Sequence, residues 1–183
     1  MYLYRRTYVQ RWDHQKDEDK FWVTVTRGGE PYTEIDPKKV SYVTEQVGYW
    51  RKANAIHNWF VDNVQDGVDN CREFRADRAG LKELLTTINE VLASVELTPC
   101  PLPGCTTYHG DGRVETTMVD GEIVVNTQVC EELLPTRSGF FFGETEYNGW
   151  YVQDLQYTKK LLEELLEQDE GDYNVEYIYT SSW

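Results

Sequence analysis

The densest set of soft metal donors in the chain is Cys100-x4-Cys105-x3-His109, with Cys130 further on. Zinc takes four thiolate or imidazole ligands in a tetrahedron, and the stiff run Pro99-Cys100-Pro101-Leu102-Pro103-Gly104-Cys105 could present two of them. A structural zinc held by Cys100, Cys105, His109 and Cys130 is therefore one expectation. Two exposed thiols on a loop, or an opportunistic disulfide, is the plainer one. With Cys71, the four cysteines are too few and too scattered for a disulfide scaffold in a chain of 183 residues. His57 could serve as a base oriented by Asp62 or a distant acid. A His flanked by Trp50, Asn54 and Asn58 on a buried helix is more often a satisfied polar residue of the core. Arg51 and Lys52 could bind an anion, or pair with Glu45 or Asp36. Near the start, Arg5, Arg6 and Arg11 fall among Tyr2, Tyr4, Tyr8 and Trp12, a mixture suited to stacking on nucleic-acid bases. The same alternation also suits a strand with some residues packed inward. No nucleophile elbow, P-loop, dinucleotide fingerprint or zinc-protease motif is present, and the chain reads as a binding protein, not an enzyme.

The elements that must hold these groups are organised around Tyr49–Val64. At helical spacing Tyr49, Ala53, Ile56, Phe60 and Val64 form an apolar stripe, with Trp50, Asn54, His57 and Val61 beside it. Two adjacent stripes predict a central helix with neighbours on more than one side. Asp66-Gly67 should end it through a left-handed cap. Before it, residues 2–11 read as a strand and Phe21–Thr26 as another, reversed by Gly28-Gly29, with Pro31 demoting the return to an edge. Asp36-Pro37 is a helix start that would run to Gly48. After the central helix, Cys71–Arg75 reads as a short strand. Asp77 caps the most regular helix, with Leu81, Leu84, Leu85, Ile88, Val91, Leu92 and Val95 on one face. Residues 98–129 read as an inserted loop and β-hairpin lobe, with arms 113–118 and 122–127 around Val119-Asp120-Gly121. Gly139–Gly143 suits a short buried strand, Asp154 onward a helix, and Tyr173–Tyr179 a final strand. The class expected is α+β: a single domain of about four helices packed on a mainly antiparallel sheet.

Charge is divided along the chain. Residues 1–75 hold 12 acids and 12 bases, whereas 76–183 hold 20 acids and 6 bases, so the second part carries the whole net charge of −14. That excess disfavours non-specific nucleic-acid binding and steers the chain toward a basic partner. No apolar run approaches the roughly 20 residues of a membrane span, and no signal-peptide core follows Met1, so a cytoplasmic protein is expected.

Four stretches carry a resemblance: Tyr-Trp-Arg-Lys-Ala-Asn-x-Ile-His-x-Trp-Phe-Val (49–61), Gly-Val-Asp-Asn-Cys (67–71), Leu-Leu-Pro-Thr-x-Ser-Gly-Phe-Phe-Phe-Gly (133–143) and the closing Tyr-x-Ser-Ser-Trp. Together they resemble a set of small phage-encoded proteins that includes an anti-CRISPR inhibitor of the type II RNA-guided DNA nuclease. The Cys100–Cys130 lobe departs from the shorter linker expected there. The resemblance implies a non-catalytic inhibitor whose partner is the type II CRISPR effector nuclease with its guide RNA. Such nucleases hold guide and target in positive channels, where acidic side chains can compete with DNA. Glu163, Glu164, Glu167, Asp169, Glu170 and Asp172 are the candidate contacts. In a variant of this reading, Arg5, Arg6 and Arg11 touch DNA while the acidic part holds the nuclease. A phage regulatory protein with another host partner is the alternative, and a metal-dependent enzyme a more distant one. Exposed aromatics and edge strands leave room for a homodimer.

Overall fold

Tyr2–Tyr8 alternates side chains between two environments and forms β1, an inner strand of the main sheet. The computed structural model describes residues 1–139 and 142–182. On one side β1 pairs antiparallel with β4 (Tyr42–Tyr49), on the other with β8 (Val175–Thr180). β8 also pairs with the short β5 (Phe74–Ala76), so the sheet order is β4-β1-β8-β5. Two separate hairpins, β2 (Thr26–Arg27) with β3 (Glu30–Pro31) and β6 (Leu97–Tyr108) with β7 (Val114–Val124), complete the strands. The helices are α1 (Asn54–Asn63), α2 (Arg78–Ser94), α3 (Gln128–Leu133) and α4 (Gly149–Gln168). This is an α+β body of four helices with a four-stranded antiparallel sheet and two hairpins, as the sequence predicts.

α1 is the centre of the core. Every residue from Asn54 to Val61 is buried, and the Phe60 ring lies parallel to Tyr179 of β8 at 3.9 Å between centroids. Leu3, opposite Tyr179 in the sheet, is fully buried beneath the same layer. Asp66 and Gly67 both take positive φ, and the Gly67 amide donates back to the Val61 carbonyl, closing α1 as expected. α2 follows its predicted cap, with Asp77 Oδ1 accepting from the Gly80 amide at 2.7 Å. It buries Leu81, Leu84, Ile88 and Val91, each contributing about 1.5–3 kcal/mol of transfer free energy. Arg78, at the head of α2, donates to the carbonyls of Leu166 and Asp169 and so caps the C-terminal end of α4.

Three expectations are corrected. Asp36 does cap a turn through the Lys38 amide, but only a single 3₁₀ turn forms (Pro37–Lys39). Tyr42–Tyr49 is an edge strand instead, and Tyr49 and Trp50 precede α1. The alternating β-branched and aromatic residues find partners along β1, which one helical turn cannot offer. Gly48 serves this strand: an added Cβ would stand 2.7 Å from Leu161 of α4, so its absence lets β4 approach the helix layer. Phe21–Val25 forms no strand, and only Thr26–Arg27 pairs across the Gly28-Gly29 turn.

The lobe is a longer ribbon than predicted. The stretch Pro99–Gly104, expected as a loop, lies within β6, and the ribbon turns at His109–Arg113, not at Val119-Asp120-Gly121. Prolines 99, 101 and 103 alternate, so their missing amides all fall on the open side of a two-stranded ribbon and cost no ladder bonds. Gly121 sits in mid-strand opposite Cys100, where Leu102 fills the space a Cβ would need. The Gly139–Gly143 strand falls partly on Phe140 and Phe141, which lie outside the described residues. Phe142, which is described, is in a turn whose amide donates to the Gly139 carbonyl.

Candidate functional site

The predicted zinc ligands do not converge. Cys100 and Cys105 are five positions apart on extended β6, roughly 15 Å along the strand. His109 stands in the ribbon turn with Nε2 3.3 Å from Glu115 Oε2, and Cys130 is fully buried on α3. Among the described residues no group of three or more His, Cys, Asp or Glu side chains is placed to hold a metal ion. The knuckle fails because alternate prolines extend the backbone where a zinc loop must fold back.

The N-terminal cations are engaged with the protein itself. Arg5 makes a two-nitrogen contact with Glu45 Oε2, at 2.7 and 3.0 Å, and reaches Asp169 at 3.3 Å. Arg6 meets Glu73 at 3.1 Å and Glu176 at 3.5 Å, and Arg11 lies 4.4 Å over the Trp22 ring. Of the aromatics expected beside them, Tyr2 and Tyr4 share one sheet face, where Tyr2 also meets Tyr49.

The six candidate acids divide into two groups. Asp169 is only 6% exposed, accepting from the Tyr177 hydroxyl at 2.6 Å and from Arg5, and belongs to the core. Asp172 accepts from the amide and side chain of Asn174 in its own loop. Glu163, Glu164, Glu167 and Glu170 are exposed, the first two with Lys159 and Lys160 one turn behind.

His57 is built into the interior, 2% exposed. Nε2 stands 3.1 Å from Asp69 Oδ2 and Nδ1 2.6 Å from the Tyr179 hydroxyl; with the proton on Nε2, the ring donates to Asp69 and accepts from Tyr179. Ser181 Oγ donates to the other Asp69 oxygen at 3.1 Å. Burial lowers the His57 pKa, only partly opposed by Asp69, and burial raises that of Tyr179, so imidazole and phenol stay neutral together. His57 borders a cavity of about 200 Å³, but both its ring nitrogens are committed. The orienting acid is Asp69, on the loop after α1, and Asp62 instead faces Arg137 at 3.7 Å.

Sequence reasoning missed a cavity of about 530 Å³ between the 51–53 turn, the 136–148 loop and the start of α4. Lys52 takes φ +61 in that turn, and Gly143 packs so closely on it that a Cβ would stand 2.7 Å from the Lys52 carbonyl oxygen. Asn54 ties the loop down, donating to the carbonyls of Arg137 and Glu144 and accepting from the Arg137 amide. Trp150 and Asp154 line the cavity from α4, with Arg51 and Lys52 opposite. Nothing in their local sequence marks Trp150 or Asp154 out.

Compared with protein-family models, with curated proteins and with solved structures, the chain matches none. Function must then be sought in what the surface offers. Among the described residues no helix is long and apolar enough to cross a membrane. The buried His57 network braces α1 against β8. What remains exposed and chemically distinctive is carboxylate: the α4 face, and the cavity walls beside Trp150.

Proposed function

We propose that the chain is a non-catalytic binding protein that docks a basic partner through the acidic face of α4. The partner proposed is the type II CRISPR RNA-guided nuclease to which its motifs point. One observation carries this reading. Arg5 and Arg6 are held by carboxylates of the same chain, while Glu163, Glu164, Glu167 and Glu170 stand exposed on or just past one helix, where the only cations against them are Lys159 and Lys160, 3.7 and 3.9 Å from Glu163 and Glu164 among the described residues. Such a surface is repelled by nucleic acid and attracted to a channel built to hold it. Asp169 and Asp172, occupied internally, are removed from the docking set, and direct DNA contact by Arg5 or Arg6 would first require breaking ion pairs.

The test is DNA cleavage by a purified, guide-loaded type II nuclease with this protein titrated in. Loss of cleavage near one-to-one stoichiometry is expected. Replacing Glu163, Glu164, Glu167 and Glu170 by Gln should weaken inhibition at least ~10-fold with the fold intact. Full cleavage at large excess across several such nucleases overturns the nuclease assignment, and unchanged inhibition by the Gln variant overturns docking through α4.

A further inference from the structure

Trp150 opens α4 with 63% of its surface exposed, and three depressions meet around it. The first is the 530 Å³ cavity that contains Asp154. The second, about 280 Å³, separates the 143–148 loop from Leu102 and Pro103 of the ribbon. The third, about 370 Å³, lies between the β7 stretch 119–122 and Gln153. Trp150 lines all three, so they adjoin there as a grooved surface, the second and third part of it lying between the ribbon and the body.

The groove is acidic. Asp120, Glu122, Glu144, Glu146 and Asp154 line it, five acids against two basic side chains among the described residues, Arg51 and Lys52, which line the first cavity from the turn before α1. Glu144 accepts from the Asn148 side chain, but Asp154 has neither a hydrogen bond nor an ion pair to its carboxylate among the described residues. It is nevertheless half-buried, and burial alone pushes its pKa up to about 6. A carboxylate partly withdrawn from water without a donor works against the fold, and a cation brought to it from elsewhere would relieve that cost. One helical turn away stands the Trp150 indole, most of it exposed to solvent.

We propose that this groove receives an arginine-bearing basic segment of a partner protein, its guanidinium paired with Asp154 and lying on the Trp150 ring. Charge complementarity selects a cation, and the neighbouring indole selects guanidinium over ammonium: the planar fork meets a carboxylate with two parallel bonds and stacks on an aromatic face. Leu102, Pro103 and Val119 supply an apolar wall for the aliphatic stem. This rests on the partner being basic, not on its being a nuclease.

The experiment titrates blocked tetra-arginine and tetra-lysine peptides into the full chain, read by calorimetry and tryptophan fluorescence. It is repeated on Asp154→Asn, Trp150→Ala and the four-Glu variant of α4. Saturable binding of tetra-arginine is expected, at least ~10-fold tighter than tetra-lysine, and weakened ~10-fold or more by Asp154→Asn and by Trp150→Ala. Asp154→Asn relieves a buried charge and Trp150 is exposed, so both variants should fold. No saturable binding, or binding that survives both groove substitutions, overturns the proposal. Binding lost only in the α4 variant overturns it too, by placing the cation on the helix face. Because no nuclease is present, failure here leaves inhibition through α4 standing, and peptide binding without inhibition would sink only the nuclease assignment.

Discussion

Asp154 and His57 are both titratable groups placed out of water, and they oppose each other as pH changes. The folded-state pKa of Asp154 lies above its unfolded value near 4, so the folded chain holds the proton more tightly. Stability is therefore unaffected below about pH 4 and declines as pH rises toward about 6. After allowance for remaining water contact the cost at neutral pH is about 1–2 kcal/mol. Asp154→Asn should recover that amount in urea unfolding at pH 7.5 and little at pH 4; an equal gain at both would mean the charge is not the cause. His57 runs the other way, because its folded pKa is depressed. Its contribution is complete above the unfolded value near 6.5 and is lost as pH falls below it. In the Asp154→Asn background, stability should thus drop between pH 7.5 and pH 5.5. His57→Ala, which deprives Tyr179 and Asp69 of their imidazole partner and opens a void under Phe142, should cost about 3 kcal/mol at pH 7.5.

Of the secondary structure, the β6–β7 ribbon is the part most independent of the core. From Gly104 to Thr117 every described side chain except His109 is exposed. Replacing 103–118 with an Asn-Gly turn closes the ribbon on the Leu102–Val119 pair and should move the thermal midpoint by less than about 2 °C. A larger fall would show that the tip supports the body. The ribbon also shows what the sequence could and could not disclose. Asp77 and Asp66-Gly67 were legible because a cap is decided by one or two residues and the backbone beside them. The α2 face was legible because its period persists over four turns. Val119-Asp120-Gly121 has the composition of a tight turn, but whether it turns depends on Leu102 across the ladder, far back along the chain. Asp36-Pro37 likewise starts a helical turn as its chemistry dictates, and the pairing of β4 with β1, forty residues apart, decides that it stops. Asp154 was hidden for the same reason: only tertiary packing sets this half-buried acid apart among the 20 carried by residues 76–183.

Over the entire chain, the charge division becomes a prediction about binding. Affinity for a basic partner, measured by inhibition or by calorimetry, should fall steeply between 50 and 300 mM salt, since contacts at the exposed α4 acids are screened beyond about 8 Å at physiological ionic strength. A salt-independent affinity would move the interface off the acidic surface. The sheet order has a separate consequence, for biosynthesis. β8 is the last strand in the chain and yet pairs on both sides, with β1 and with β5. While the chain is being made, β1 can pair with β4, but the far side of β1 stays open and Phe60 has no Tyr179 ring to cover it. The main sheet must therefore wait for residues 175–180, and folding should be slow because its closing pairings are long-range. A nascent chain stalled before β8 would be the aggregation-prone form, with an open strand edge and an uncovered core helix, and the natural substrate for a chaperone.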